Sequence, residues 1–199
     1  MSRDVFSEII NYPNEERHIE FKSNIKWDGE TKSKLTKHIM AMANLRDGGW
    51  IIIGKEEQAN RTFRLVGLTR ENFDSFDSDH IKAFVYSHAE PPIRLIVRKK
   101  EENKKLFVGV EIKGFDTTPI ICKKTEGSIL QEGRMYVRSK GKPESITVQN
   151  YTEMNEIIDI AIDKGLTNLL GRLKFLGIHF QSPRALNKEK FDQEIEELK

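Results

Sequence analysis

Five glutamates carry the most suggestive chemistry in this sequence. Glu15, Glu16 and Glu20 lie in one short charged stretch, and Glu56 and Glu57 follow the apolar run from Trp50 to Gly54. Carboxylates held within a few Å of one another repel unless a cation neutralises them. An all-oxygen set selects a hard ion such as Mg²⁺ or Mn²⁺. Such an ion can activate water and stabilise charge on a phosphodiester under in-line attack. The same spacing also fits solvated charges on exposed strand ends, and spacing alone leaves both readings open. His18 stands between Glu16 and Glu20, but the five histidines have no metal-ligand spacing. There is no phosphate loop ending in Gly-Lys-Ser/Thr, no His-Glu-x-x-His and no Gly-x-Ser-x-Gly.

The elements that must position these groups follow from periodicity. Val5, Phe6, Ile9 and Ile10 repeat at helical spacing before Asn11-Tyr12-Pro13. In the next strand Ile19 and Phe21 alternate with His18, Glu20 and Lys22. A helix from about Lys32 to Asn44 puts Leu35, Ile39, Met42 and Ala43 on an apolar stripe, with Lys32, Lys34, Lys37 and His38 opposite. Gly48-Gly49 turns the chain into Ile51-Ile52-Ile53, whose continuous apolarity predicts a central strand covered on both faces.

Beyond it, the pattern predicts an edge strand at 63–66 and a helix at 78–88. Strands at 93–97 and 106–112 form a hairpin over the charged turn 99–105, and further strands follow at 120–122 and 134–138. From Tyr151 the pattern is helical, with stops expected at Gly165 and Gly177 and a last helix capped by Asn187. The expected fold is α+β: a mixed β-sheet lobe with flanking helices over 1–150, then a short C-terminal helical extension over 151–199.

At 199 residues with 37% apolar and 32% charged content, the chain can build one packed core. No apolar run approaches the roughly 20 residues that span a bilayer. The N-terminus has no apolar secretion core and Cys122 is the single cysteine, so a reducing, cytoplasmic setting is expected. Arg94 to Lys142 holds thirteen Lys and Arg against six Asp and Glu, a net of +7, which leaves −5 on the rest of this +2 chain. A basic segment in an otherwise acidic chain hints at a polyanionic partner.

Four pieces occur in one order: Glu15-x4-Glu20-Phe21-Lys22, Ala41-Met42-Ala43-Asn44-x3-Gly48-Gly49, Ile52-Ile53-Gly54 and Tyr136-Val137-Arg138-x2-Gly141. Together they resemble the AlbA-like domain of the Schlafen family, over about residues 10–160. The resemblance implies a nucleic-acid-binding lobe. In some members it implies a metal-dependent endoribonuclease that cuts structured RNA such as tRNA at a three-carboxylate site. Carried over by position, Glu15 and Glu20 are the first two catalytic and metal-binding carboxylates and Glu57 is the third, with Glu56 as the alternative. Mg²⁺ or Mn²⁺ is the implied cofactor, and the alternative reading is a non-catalytic DNA- or RNA-binding regulatory module. In an unbroken strand Glu16, not Glu15, shares the face of Glu20. The family pattern therefore requires a turn or bulge at Glu15.

Lys22 and Lys26 lie beside the carboxylates, while Lys123, Lys124, Arg134, Arg138, Lys140 and Lys142 gather in the later strands. These are the expected phosphate contacts for RNA or DNA. Eukaryotic members of the family join two such lobes. A homodimer, with Leu169, Leu173 and Leu176 as the contact stripe, is the corresponding expectation for this single lobe.

Overall fold

The run Ile51-Ile52-Ile53 sits where the sequence places it, at the centre of the main sheet. A computed structural model describes residues 4–178 of the chain. In chain order the elements are α1 (Val5–Ile10), β1 (Ile19–Lys22), α2 (Gly29–Ala43), β2 (Gly49–Ile53), β3 (Lys55–Glu57) and β4 (Phe63–Leu65). Then come α3 (Arg70–Ser75), α4 (Ser78–His88), β5 (Ala89–Glu90), β6 (Leu95–Glu102) and β7 (Lys105–Ile112). The last are β8 (Ile121–Cys122), β9 (Tyr136–Arg138), β10 (Ser145–Thr147) and α5 (Tyr151–Phe175). The architecture is α+β with a mixed sheet, as expected.

The main sheet has the order β1-β2-β7-β6, with β1 parallel to β2 and the other pairs antiparallel. The parallel pair needs a crossover, and α2 supplies it. Ile51 and Ile53 join the larger core cluster with Leu35, Ile39 and Met42 of α2, whereas Ile52 joins Phe6 and Ile10 of α1 and Phe21 of β1. Each face of β2 is thus covered by a helix, which is why its apolar run does not alternate. Gly48 has φ +83°, and a Cβ there would lie 2.0 Å from the carbonyl oxygen of Ile112. No side chain fits at that turn.

Three expectations are corrected. The β6–β7 hairpin closes on the two-residue turn Asn103-Lys104, both at positive φ (52° and 60°), so most of the charged stretch 99–105 is strand. The short elements α3 and β10 have no counterpart in the expected pattern. Gly165 does not stop a helix: α5 runs unbroken through Gly165 and Gly171, because a helical glycine costs only about 1 kcal/mol. The helix ends instead at Gly177 (φ +78°), where the amides of Gly177 and Ile178 donate to the carbonyls of Lys174 and Leu173 in a Schellman motif. The chain divides into two compact units, one up to Ile162 and one from Asp163. Within the first unit α5 buries Ile157 and Ile160, and within the second Leu166, Leu169, Leu170 and Leu176 are exposed. The helix expected after Asn187 lies outside the described residues. Among the described residues no helix is long and apolar enough to cross a membrane.

Candidate functional site

The conflict between pattern and strand period at Glu15 is resolved by a turn. Glu16 and Ile19 exchange backbone hydrogen bonds (3.1 and 3.0 Å) around Arg17-His18, so β1 begins only at Ile19. Because β1 is an edge strand, its outward N–H groups are free of the sheet. Glu15 reaches back over that edge and its Oε1 accepts the amide of Phe21 at 2.7 Å. Burial pushes the Glu15 carboxyl up; the Phe21 amide opposes this and the nearby Glu20 charge adds to it. Glu16 turns elsewhere, accepting the Tyr12 hydroxyl and lying 3.5 Å from His18. Glu15 is therefore the glutamate that approaches Glu20.

Glu20 alternates with Ile19 and Phe21, which belong to the α1-side core, so it points to the α2 side and is buried there. Its Oε2 lies 2.8 Å from Nη2 of Arg138. The two atoms form a buried ion pair. Lys22 Nζ contacts the other oxygen, and His38 Nε2 lies 3.9 Å from it. The rest of the Arg138 guanidinium is committed as well. Its Nε donates to the Arg17 carbonyl at 3.0 Å, and Nη1 donates to the Ser145 hydroxyl at 3.2 Å. His38 Nδ1 is 2.8 Å from that hydroxyl and 3.3 Å from Nη1. With a donor aimed at Nδ1, the network assigns the ring proton to Nε2, facing Glu20.

Burial pushes the Glu20 carboxyl up, but His38, Lys22 and Arg138 outweigh it and hold the group below its ordinary value. Burial, with the charges of Lys22 and Arg138 against the Glu20 charge, brings His38 down to about 4. His38 is thus neutral at pH 7, and Lys22 and Arg138 are what keep Glu20 ionised there.

The third carboxylate sits differently. Gly54 (φ +111°) breaks the strand alternation between β2 and β3, so Lys55 turns to the α1 side. There Lys55 donates to the carbonyls of Ile10 and Tyr12 and lies 3.8 Å over the Phe21 ring. Burial brings its ammonium down to about 8. Glu57 shares that side of β3, opposite Phe63, while Glu56 lies on the other side and pairs with Arg64 at 3.3 Å. Strand alternation thus gives Glu57 the face opposite to that of Glu20. Among the described residues, no three His, Cys, Asp or Glu side chains are grouped so as to hold a metal ion. The donor chemistry agrees: Glu20 is already neutralised by two cations, and a divalent ion would have to displace Arg138. The residues as arranged do not fit the expected Mg²⁺ or Mn²⁺ site.

The expected phosphate contacts divide into three groups. Arg138 is corrected outright, being fully buried rather than on a phosphate-facing surface. Lys22 and Lys26 are held by Glu20 and by Glu71 (2.7 Å), and Lys140 lies 3.3 Å from Glu156. Lys123 lies 3.9 Å from the Glu90 carboxylate, and Lys124, Arg134 and Lys142 are exposed. Backbone bonds from Cys122 N to Arg134 O (2.8 Å) and from Gly133 N to Cys122 O (2.7 Å) bring Lys123, Lys124 and Arg134 to one hairpin stem. Sequence reasoning missed the roles of His38, Ser145 and Arg17. One signal was present: strand period puts Tyr136 and Arg138 on one face, so a core Tyr136 carries Arg138 inward.

The sequence family described as Schlafen, AlbA_2 matches residues 15–147. No curated protein matches the chain. Among solved structures the chain is similar to a crystal structure of a Corynebacterium diphtheriae protein, at 16% identity and TM-score 0.46, over 70% of this chain and 23% of that one. It is also similar to the solution structure of the N-terminal domain of a putative ATP-dependent DNA helicase RecG-related protein from Nitrosomonas europaea, at 21% identity and TM-score 0.43, over 74% of this chain and 94% of that domain. The chain thus spans about a quarter of the Corynebacterium protein's length. With the match covering the turn at Glu15, the crossover helix, the central strand and β9, this chain belongs to the Schlafen AlbA_2 family.

Proposed function

We propose that this domain binds nucleic acid through its phosphate backbone, without a preformed metal-dependent cleavage centre. Family membership supports the nucleic-acid partner. The observation that carries the mode of binding is the hairpin stem joining Lys123, Lys124 and Arg134. Cations gathered in this way attract phosphates regardless of base and release counterions on binding. Affinity for single strands falls with salt at a log-log slope of roughly −0.7 per phosphate neutralised. The double variant Lys124→Ala/Arg134→Ala is expected to weaken binding about tenfold or more and to flatten that slope by about 1.4, or roughly 0.7 for each phosphate contact removed. Fluorescence anisotropy with labelled RNA and DNA across a salt series measures both. An unchanged slope in the double variant would remove the hairpin from the interface.

A second reading, the metal-dependent endoribonuclease acting on tRNA-like RNA, is favoured by one observation. The turn at Arg17-His18 brings Glu15 beside Glu20, as that chemistry requires. On this reading Mg²⁺ or Mn²⁺ supports tRNA cleavage, and Glu20→Gln abolishes it in protein shown to be folded. Cleavage that survives both chelation and Glu20→Gln would rule the site out.

A further inference from the structure

Arg17, the residue at the turn that swings Glu15 onto β1, is tied into the core by a reciprocal pair of bonds. Its Nε donates to the carbonyl of Arg138, and the Nε of Arg138 donates to the carbonyl of Arg17, both at 3.0 Å. The turn and the guanidinium are therefore fixed before any ligand arrives. The fork faces α5, where Nη1 and Nη2 grip the two oxygens of Glu156, the second at 2.9 Å. Lys140 closes on the same carboxylate at 3.3 Å. A planar guanidinium forked onto two oxygens, with an ammonium beside it, is also the geometry that captures a phosphate.

The surroundings are mixed in charge, with Arg46 and Lys113 beside Asp47, Glu111 and Asp159. The cluster lies on the wall of an open groove of about 850 Å³, which runs from the Leu45–Gly49 turn to the first turns of α5. Half-buried Trp50 and Tyr151, which is 81% exposed, also line it. Tyr151 supplies an aromatic face on which a base can stack, whereas the Trp50 ring already stacks on Phe6 at 6.0 Å with Arg98 5.8 Å from its centroid. Glu156 is tethered to the same fold and competes with any phosphate at a high effective concentration. Its carboxyl is held below the ordinary range by Arg17 and Lys140 against the effect of burial, so it remains an anion throughout neutral pH.

From this arrangement we propose that Arg17 and Lys140 form a phosphodiester subsite which Glu156 of α5 occupies as an internal phosphate mimic. Nucleic acid engages the groove by displacing that carboxylate. The proposal rests on the nucleic-acid reading above and adds a second contact region, with α5 as its autoinhibitory element. The hairpin stem of Lys124 and Arg134 attracts the strand, and the groove admits it only when Glu156 yields.

The test uses the full chain with a labelled single-stranded RNA across a salt series. Glu156→Gln is expected to bind about tenfold more tightly than the wild type, with a slope steeper by roughly 0.7 for each phosphate newly engaged. Glu101→Gln makes the same charge change on the β6–β7 hairpin and is expected to alter affinity by less than about twofold. Adding Lys140→Ala to Glu156→Gln should return affinity toward the wild type. If Glu156→Gln melts early, Glu156→Asp withdraws the carboxylate by one methylene while keeping its charge, and a smaller gain is expected. Affinity for Glu156→Gln that matches Glu101→Gln would overturn the proposal. Titration with inorganic tripolyphosphate separates the two readings. If no variant binds RNA but Glu156→Gln binds tripolyphosphate and the wild type does not, the subsite stands and the nucleic-acid reading falls. If Glu156→Gln binds neither, the subsite falls as well.

Discussion

Arg138→Ala is expected to lose about 3–5 kcal/mol of folding stability, the usual cost of removing one partner from a buried ion pair. Three consequences of the substitution act together. Glu20 is buried and keeps only Lys22 as a cationic neighbour. The Arg17 carbonyl loses its 3.0 Å donor, and the Ser145 hydroxyl loses another at 3.2 Å. Removal of the large side chain also leaves a cavity between α2, β1 and β9. Urea unfolding followed by far-UV circular dichroism measures the loss. Replacing both partners, Glu20→Leu with Arg138→Met, is expected to cost much less than Arg138→Ala, because no buried charge is then left uncompensated. A loss below about 1 kcal/mol for Arg138→Ala would show that water reaches Glu20 freely and that the pair is not a structural lock.

Acidification should destabilise the protein well before its carboxylates titrate, and His38 is the reason. Its folded-state value of about 4 lies below the ordinary 6.5. Between those values the unfolded chain binds a proton that the folded chain refuses, so stability rises with pH. The contribution is complete above about 6.5 and is lost as pH falls toward 4, a change on the order of 3 kcal/mol. Glu20 acts in the same direction lower down: its depressed value stabilises above the ordinary carboxylate range and that stability is lost as pH falls through the folded value. Glu15 opposes them weakly, since its raised value favours the folded state in acid. His38→Gln keeps a polar partner for Ser145 but removes the titration. Its urea midpoints are expected to stay nearly level from pH 6.5 to 5, where those of the wild type decline. Parallel declines in the two proteins would place the acid sensitivity elsewhere.

Much of the scaffold was legible because its signals are local. The Gly48-Gly49 turn, the triple isoleucine, the first helix and the 78–88 helix each follow from period and turn chemistry. So did the requirement that the chain turn at Glu15. The helix stop expected at Gly165 failed because one glycine costs too little to break a long helix. The hairpin turn is narrower than its composition suggests, because charged residues on an exposed strand look like a loop until their partner strand is known.

The candidate site was legible in part. The resemblance selects Glu15 and Glu20 from the five glutamates, and their approach rests on the turn that the resemblance requires. Arginine and histidine are usually exposed, so the types of Arg138 and His38 alone point to solvated faces. Pairing with Glu20 reversed that preference, and the pairing joins residues more than a hundred positions apart in sequence.

The sequence by itself determined the longer strands and helices, which carboxylates lie near one another along the chain, and which family pattern they follow. Those features depend on neighbours within a few residues. Only the tertiary structure decided which charges remain available for a ligand. It buried Arg138 against Glu20, turned Glu57 to the opposite strand face and laid Glu156 into the Arg17 fork. Burial sets the energy of a charge, and burial is fixed only when distant segments pack.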